Sequence, residues 1–140
     1  MGNNCPLCEP TLAAPVLRES DHWRVALNVN QNLLGKLIIV LGHHKEAVVD
    51  LTEPEWQDLR EQVGWATRRL QTAFAPDHFN YAFLQNQDRH VHLHVIPRYA
   101  SERSVGGQAF GDAGWPGHYE LGEVVKLSDE TISAIASELT

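Results

Sequence analysis

The segment RHVHLHVIPRY places three histidines at alternate positions, His90, His92 and His94, with an aliphatic residue after each of them. Because successive side chains of a β-strand point to opposite faces, these imidazoles would share one face, each about 7 Å from the next. The aliphatic side chains would then pack toward the core. The pattern predicts a strand that is anchored on one side and that displays imidazole groups on the other.

Three interpretations of this histidine row imply different chemistry. Coincidence on a half-exposed strand is disfavoured by the strict spacing, in a chain with eight histidines. A metal site is the second interpretation, because neutral imidazole is the commonest metal ligand, and Asp88, His43 or His44 could complete such a site. The third is nucleophilic catalysis on phosphorus, because a neutral imidazole can attack without first losing a proton. Flanking histidines could orient it and donate hydrogen bonds to phosphoryl oxygens.

The elements that must position the row are predicted from the surrounding pattern. The stretches VLRES, HWRVALN and GKLIIVLG predict three strands, and FNYAFLQN with HVHLHVIPRY predicts an antiparallel hairpin. Residues 53–74 predict the major helix, which begins with a capping box of Thr52 and Glu55. Ser128 is suited to cap a helix at the end of the chain. This order predicts an α+β fold with an antiparallel sheet of about five strands.

The composition of the chain limits its class. A length of 140 residues predicts a single domain, and a net charge of −7 argues against binding the backbone of nucleic acids. No apolar run reaches the roughly 18 residues of a membrane span, and the start lacks the pattern of a signal peptide. We therefore expect a cytoplasmic protein without a membrane or nucleic-acid partner. Residues 101–120, which hold five of the ten glycines, predict a long irregular loop.

The three-histidine pattern, in which apolar residues alternate with histidines, resembles the motif of the histidine triad (HIT) family of nucleotide hydrolases and transferases. The stretch GKLIIVLGHHKEAVVDL resembles the family's Gly-His-x-Leu-φ-Val-φ-Pro-x-x-His segment (φ, apolar), although Lys36 stands where the family has histidine. CPLC resembles the Cys-x-x-C of many prokaryotic members. The resemblance implies a HIT-like fold with one major helix and a C-terminal helix, and a homodimer.

The resemblance also implies roles for individual residues. His92 would attack the α-phosphorus of a nucleotide and form a covalent nucleotidyl-histidine, which water would later hydrolyse. His94 would donate to the phosphate and position His92, whereas His90 would support both. The implied nucleotide contacts are Asn28 for the ribose hydroxyls, Asn80 and Asn86 for the phosphate, and Gln87 in place of the hydroxyl residue of the family.

Cys5 and Cys8, in the N-terminal segment of residues 1–12, form half of a tetrahedral zinc site. The resemblance implies that His44 and His90 complete it, with His43 as the alternative to His44. Such a structural zinc would link the N-terminal segment to the catalytic strand. No organic cofactor is expected, and magnesium could accompany a polyphosphate substrate.

The resemblance leads to three hypotheses of function. The first is a hydrolase that cleaves at the α-phosphate of a dinucleoside polyphosphate or of a nucleotide phosphoramidate. The second is a zinc-containing nucleotide-binding module with little turnover, and the third is a nucleotidyltransferase that uses the same intermediate. The loop at 101–120 would either be a surface loop anchored by Trp115 or fold over the site to shape its pocket.

Overall fold

The computed structural model describes residues 5–120 and 122–140. Five strands form one antiparallel sheet in the order β1-β2-β3-β5-β4: β1 (Val16–Glu19), β2 (Trp23–Leu27), β3 (Leu37–Leu41), β4 (His78–Ala82) and β5 (His92–Arg98). A separate hairpin and two α-helices accompany the sheet: β6 (Arg103–Val105), β7 (Gln108–Phe110), α1 (Glu53–Phe74) and α2 (Asp129–Glu138). The predicted α+β fold, with its five-stranded antiparallel sheet and two helices, is confirmed.

Helix α1 has the limits that the sequence predicts, because both of its ends are capped. The Thr52 hydroxyl accepts a hydrogen bond from the backbone N–H of Glu55, and the Glu55 carboxylate accepts one from the N–H of Thr52. At the other end Ala75 adopts the left-handed conformation, with φ of 49°. Pro76 follows, and a proline cannot continue the helix.

The main core lies between α1 and one face of the sheet. Leu59, Ala66, Leu70 and Phe74 recur on one side of the helix and are buried there. They belong to the same cluster as the inward side chains of the strands: Val25, Leu27, Leu37, Ile39, Leu41, Val91, Leu93 and Val95. The aliphatic positions between the histidines therefore anchor β5, as the alternation predicts.

Gly35 allows the turn before β3 to approach α1 closely. It adopts φ of +84°, and a Cβ at this position would lie 2.6 Å from Cδ2 of Leu70. Since only glycine combines a positive φ with no side chain, the chain can return along the helix here. This turn fixes where β3 begins and thus its register against β5.

The register of the strands places the histidines on the sheet face opposite α1. Ile38 and Val40 of β3 pair with His94 and His92, and Asn80 of β4 pairs with Ile96. Paired residues in neighbouring strands share a face. The part of this face over β2 and β3 is covered by Leu7 and Leu12 of the N-terminal segment, which pack on Ala26 and Val40.

The predicted irregular loop at 101–120 is wrong in part, since the hairpin of β6 and β7 occupies its first half. Gly106 and Gly107 both adopt positive φ, of 58° and 79°, which is the requirement of a tight two-residue hairpin turn. The pairing also buries Phe110 in the main core. In the described part of the chain, no helix combines the length and the apolar character that crossing a membrane requires.

Candidate functional site

Two of the three histidines face each other on the open side of the sheet. The ring centroids of His92 and His94 are 4.9 Å apart, with 62° between the ring planes. His90 does not extend this pair, because it precedes the first residue of β5 and its ring reaches the cysteines of the N-terminal segment. The expectation of three imidazoles in one row thus holds for His92 and His94, whereas His90 joins a second cluster.

A backbone carbonyl fixes the tautomer of His92. Its Nδ1 lies 2.7 Å from the carbonyl oxygen of His90. Since a carbonyl oxygen only accepts hydrogen bonds, Nδ1 must carry the proton and donate it. The lone pair of the neutral ring is then on Nε2. His92 is only 7% exposed, so its ring is held by its surroundings.

His94 is kept neutral by its environment. Burial is the largest cause that lowers its pKa, to about 4, and the neighbouring charges of His92 and Lys36 lower it further. An imidazole with such a pKa can donate one hydrogen bond at neutral pH without carrying a positive charge. The site therefore places a neutral imidazole, that of His94, beside His92.

Lys36 is a member of this site whose role the sequence did not predict. It directly precedes β3, and its Nζ donates a hydrogen bond of 2.6 Å to the side-chain oxygen of Asn32. Burial lowers the pKa of Lys36, and the carboxylate of Glu123 acts in the opposite direction. The sequence revealed only that a lysine replaces a histidine at this position.

The four predicted nucleotide contacts lie in different settings. Asn28 follows β2, and its side-chain oxygen accepts a hydrogen bond of 3.0 Å from the N–H of Asn30. Asn80 lies on the histidine-bearing face, where its side-chain oxygen accepts from Arg98 at 2.8 Å. Asn86 and Gln87 are exposed in the loop that precedes His90.

Arg98 and Asp112 form a buried ion pair that the sequence analysis missed. Arg98 donates from Nε and Nη2 to the two carboxylate oxygens of Asp112, at 2.7 and 3.1 Å. Both side chains are almost fully buried, with 3% and 0% exposed. Arg98 lies at the same alternate spacing as His92 and His94, so the sequence alone could have placed it on their face. Its partner Asp112 follows the hairpin of β6 and β7, so the ion pair could not be predicted from the sequence.

A second cluster brings together the four predicted metal ligands. The ligand atoms of Cys5, Cys8, His44 and His90 all lie within 4.8 Å of one another. Nδ1 of His90 is 3.4 Å from both sulfurs, and the two Nδ1 atoms of the histidines are 3.2 Å apart. Tetrahedral zinc, with its usual bond lengths, separates nitrogen from sulfur by about 3.5 Å and nitrogen from nitrogen by about 3.3 Å. This group could hold a metal ion with little rearrangement.

The second nitrogen of each histidine in this cluster already has a partner. Nε2 of His90 donates to the carbonyl oxygen of Leu41 at 2.7 Å, and Nε2 of His44 lies 3.1 Å from the carboxylate of Glu46. Both partners place the ring lone pairs on Nδ1, toward the cysteines. Histidines that bind metals in proteins are oriented in this way. His43 is exposed and lies outside the group, so the geometry favours His44.

The thiols of the cluster influence each other's ionisation. Burial acts to raise the pKa of Cys5, but hydrogen bonds with Cys8 and His44 lower it overall. Burial and the charge of Cys5 raise the pKa of Cys8 to about 11. Without a cation, ionisation of one thiol opposes ionisation of the other. A divalent ion between them would stabilise both thiolates.

The comparisons with known proteins agree with this geometry. The chain is 24% identical over 137 residues to an adenosine 5'-monophosphoramidase of Schizosaccharomyces pombe, covering 93% of this chain and 94% of that protein. A Hit-like protein from Bartonella henselae superimposes with a TM-score of 0.74 over 99% of this chain and 96% of its own, at 14% identity. No family model matches the chain.

A third similar protein was solved with bound zinc. A zinc-bound histidine triad protein from Mycobacterium smegmatis has a TM-score of 0.60 and 15% identity, covering 90% of this chain and 85% of its own. At these identities the solved structures establish a common fold. The resemblance that the sequence predicted is confirmed at that level.

Proposed function

We propose that this chain, which has the histidine triad fold and carries the three-histidine motif, is a nucleotide hydrolase that cleaves at the α-phosphate through a covalent intermediate on His92. The observation that carries this proposal is the fixed tautomer of His92. Its Nδ1–H is held by the carbonyl of His90, which leaves the lone pair of Nε2 for attack. The neutral His94 lies beside it, with the ring centroids 4.9 Å apart.

The reaction would proceed in two displacements. Nε2 of His92 attacks the α-phosphorus, the new P–N bond forms, and the bond to the leaving group breaks as that group takes up a proton from solvent. Water then attacks the phosphorus of the nucleotidyl-histidine and loses its proton to solvent. The P–N bond breaks, which releases a nucleoside monophosphate and regenerates His92. Splitting the reaction replaces one difficult displacement with two easier ones.

His94 would stabilise the charge that develops on the phosphoryl oxygens. A neutral imidazole can donate a hydrogen bond, and burial raises the value of that bond because water does not compete for it. Asn28 would hold the ribose hydroxyls, and Asn80, Asn86 and Gln87 would contact the phosphate or the leaving group. Asn86 and Gln87 are exposed in their loop, so they would close on the ligand as it binds.

One of the similar proteins supports a nucleotide phosphoramidate as the substrate. The relative from Schizosaccharomyces pombe, which matches over most of both chains, is named as an adenosine 5'-monophosphoramidase. A dinucleoside polyphosphate would use the same nucleophile, and magnesium would then accompany the polyphosphate. The working form that we propose is a cytoplasmic homodimer of one domain, residues 1–140.

Zinc at Cys5, Cys8, His44 and His90 would have a structural role in this proposal. The ligand set leaves out His92 and His94, so metal binding and nucleophilic attack do not compete for the same imidazole. When bound, the ion would tie the N-terminal segment to the residue whose carbonyl orients His92. Zinc that supports structure is held in this way, by four protein ligands.

A nucleotide-binding module with little turnover is the second candidate. It is favoured by the loop before the histidines, where Asn86 and Gln87 are exposed and are not held over the site. A binder would take up nucleotide without releasing product. A nucleotidyltransferase would instead transfer the same group to an acceptor other than water.

Turnover of adenosine 5'-phosphoramidate and of diadenosine tetraphosphate, followed as AMP release, separates these candidates. We expect the wild type to turn over one of them and His92→Ala to lose at least about a thousandfold in kcat, since the nucleophile is gone. His22→Ala, in the turn between β1 and β2, is the matched control and should retain activity. Wild-type turnover by His92→Ala would refute the assignment of His92 as the nucleophile, and failure of the wild type to turn over either substrate would refute the hydrolase.

A further inference from the structure

Lys36 lies on the same face of the sheet as His94. Leu37 begins β3 and faces the core, while Ile38 pairs with His94 across β3 and β5. Because side chains alternate along an extended chain, Lys36 shares the face of Ile38 and therefore of His94. Continuing this pairing by one residue places Lys36 opposite Ile96, which lies two residues after His94 in β5 and on the same face.

Three cationic side chains occupy this face, and two of them are already engaged. Arg98 is neutralised by Asp112. Arg24 donates to the backbone carbonyls of Leu7, Glu9 and Pro10 and so holds the N-terminal segment. Lys36 donates to a neutral amide, Asn32, and none of the salt bridges between described residues includes it. Among these three described side chains, Lys36 is therefore the one whose charge has neither a salt-bridge partner nor a set of backbone carbonyls, and the carboxylate of Glu123 acts on it from beyond salt-bridge distance.

A buried glutamine fixes the backbone on which Lys36 stands. Gln31 is 0% exposed, and its Nε2 donates to the carbonyl oxygens of Asn28 and Lys36, at 2.6 and 3.0 Å. Its side-chain oxygen accepts from the N–H of Gly35 at 2.7 Å. Gln31 thereby locks Asn28 and Lys36 at a constant separation. Asn28, which is proposed to contact the ribose, and Lys36 therefore belong to one rigid loop.

The amide of Asn32 positions the ammonium group without neutralising it. A neutral partner satisfies one of the three ammonium protons and leaves two for other acceptors. The charge also reaches the histidine pair, since Lys36 is one of the causes that lower the pKa of His94. A half-buried ammonium with a neutral partner is suited to an anion, because charge-assisted hydrogen bonds are about twice as strong as neutral ones.

We propose that Lys36, held by Asn32, binds a non-bridging oxygen of the nucleotide phosphate and sets the preference of the site for phosphorylated nucleosides over free ones. This inference rests on the proposed function and adds a residue to it. Lys36 would lie between the ribose at Asn28 and the phosphorus opposite His92. It would supply a positive charge that the neutral His94 lacks.

Calorimetric titration of the zinc-loaded protein with AMP and with adenosine tests this role. We expect the wild type to bind AMP more tightly than adenosine. Lys36→Met should weaken AMP binding by about tenfold or more and leave adenosine binding within about twofold, because only AMP carries the anion. Lys36→Arg should restore part of the preference, and the melting temperature reports whether each variant is folded.

Asn32→Ala is the matched control, because it removes the same Lys36–Asn32 hydrogen bond and keeps the charge. We expect it to weaken AMP binding by about threefold, clearly less than Lys36→Met does, because the ammonium group loses its positioning partner but keeps its charge. Equal losses of AMP affinity in Lys36→Met and Asn32→Ala would make Lys36 a tether of the loop and overturn the inference. If Lys36→Met binds AMP as tightly as the wild type does, and the wild type turns over substrate, the inference is overturned and the proposed function stands. A wild type that neither binds AMP nor forms it would overturn both.

Discussion

At the scale of residues, the site depends on two imidazoles that differ in their hydrogen bonds. His92 is oriented by the carbonyl of His90, whereas burial and the neighbouring charges lower the pKa of His94 to about 4. His94 is therefore suited to act as a neutral donor near pH 7, whereas the hydrogen bond of His92 leaves its lone pair on Nε2. This division needs no change in residue type, because position along the strand alone distinguishes the two.

The low pKa of His94 predicts a pH dependence of stability. Between pH 6.5 and 4 the unfolded chain takes up a proton at His94 that the folded chain refuses, so folding weakens as the pH falls. Lowering the pH from 7 to 5 should cost the wild type about 1–2 kcal/mol more than His94→Gln, which cannot titrate there. Denaturant unfolding of both proteins at the two pH values measures this difference. Parallel pH dependences would contradict it.

At the scale of elements, the turn before β3 determines the alignment of the site. Gly35 lies against Leu70 of α1, and the loop from Asn28 to Lys36 is clamped by Gln31. Since β3 pairs with β5, a displacement of this loop would move Ile38 and Val40 relative to His94 and His92. The apolar side of α1 thereby controls a polar site on the opposite face of the sheet.

Gly35→Ala should destabilise the fold and weaken the site. The added Cβ would meet Cδ2 of Leu70 at 2.6 Å and would also strain a φ of +84°. We expect a loss of about 2–4 kcal/mol in the free energy of unfolding, from overpacking and backbone strain together. Gly107→Ala is the matched control, since Gly107 has φ of +79° and a Cβ added there would meet no atom within 4 Å. It should lose only about 1 kcal/mol. Equal losses in the two variants would leave no role for the contact with Leu70.

At the scale of the whole molecule, the N-terminal segment and the catalytic strand meet at the cysteine cluster. Cys5 and Cys8 come from one end of the chain, His44 follows β3, and His90 precedes β5. The loop that a metal ion would close here is long, so its contribution to stability would be considerable. Through the carbonyl of His90, the same cluster determines the position of His92.

Metal analysis of the purified protein should give one zinc ion per chain. His44→Ala should lose the ion and melt several degrees lower than the wild type, because four ligands are needed for a stable site. His43→Ala is the neighbouring control and should keep both the zinc and the melting temperature, since His43 is exposed outside the group. Loss of zinc from His43→Ala and not from His44→Ala would show that His43, and not His44, is the ligand.

Local signals in the sequence predicted much of this molecule. The limits of α1 followed from the capping box at Thr52 and the break near Pro76, and the alternation of β5 followed from its aliphatic residues. The hairpin of β6 and β7 was missed because Gly106 and Gly107 were interpreted as loop residues, although two consecutive glycines also suit a tight turn. The assembly of Cys5, Cys8, His44 and His90 was predicted only through the resemblance to a family.

The residues that were missed depend on distant pairing. Lys36 became part of the site because Ile38 pairs with His94, and the charge of Arg98 is balanced by Asp112, which lies beyond a hairpin. Neither register nor partner is determined by the residues next to them in the chain. Sequence patterns therefore identified the nucleophile candidate, whereas the charges around it required the fold.

The most direct measurement is intact-mass analysis of the protein quenched during turnover, followed by peptide mapping at neutral to alkaline pH. The proposed intermediate predicts a gain of one nucleotidyl group on the peptide that contains His92, and its absence in His92→Ala. His94→Gln should still form the adduct, more slowly. Turnover without an adduct, or an adduct on another residue, would contradict the assignment of His92 as the nucleophile.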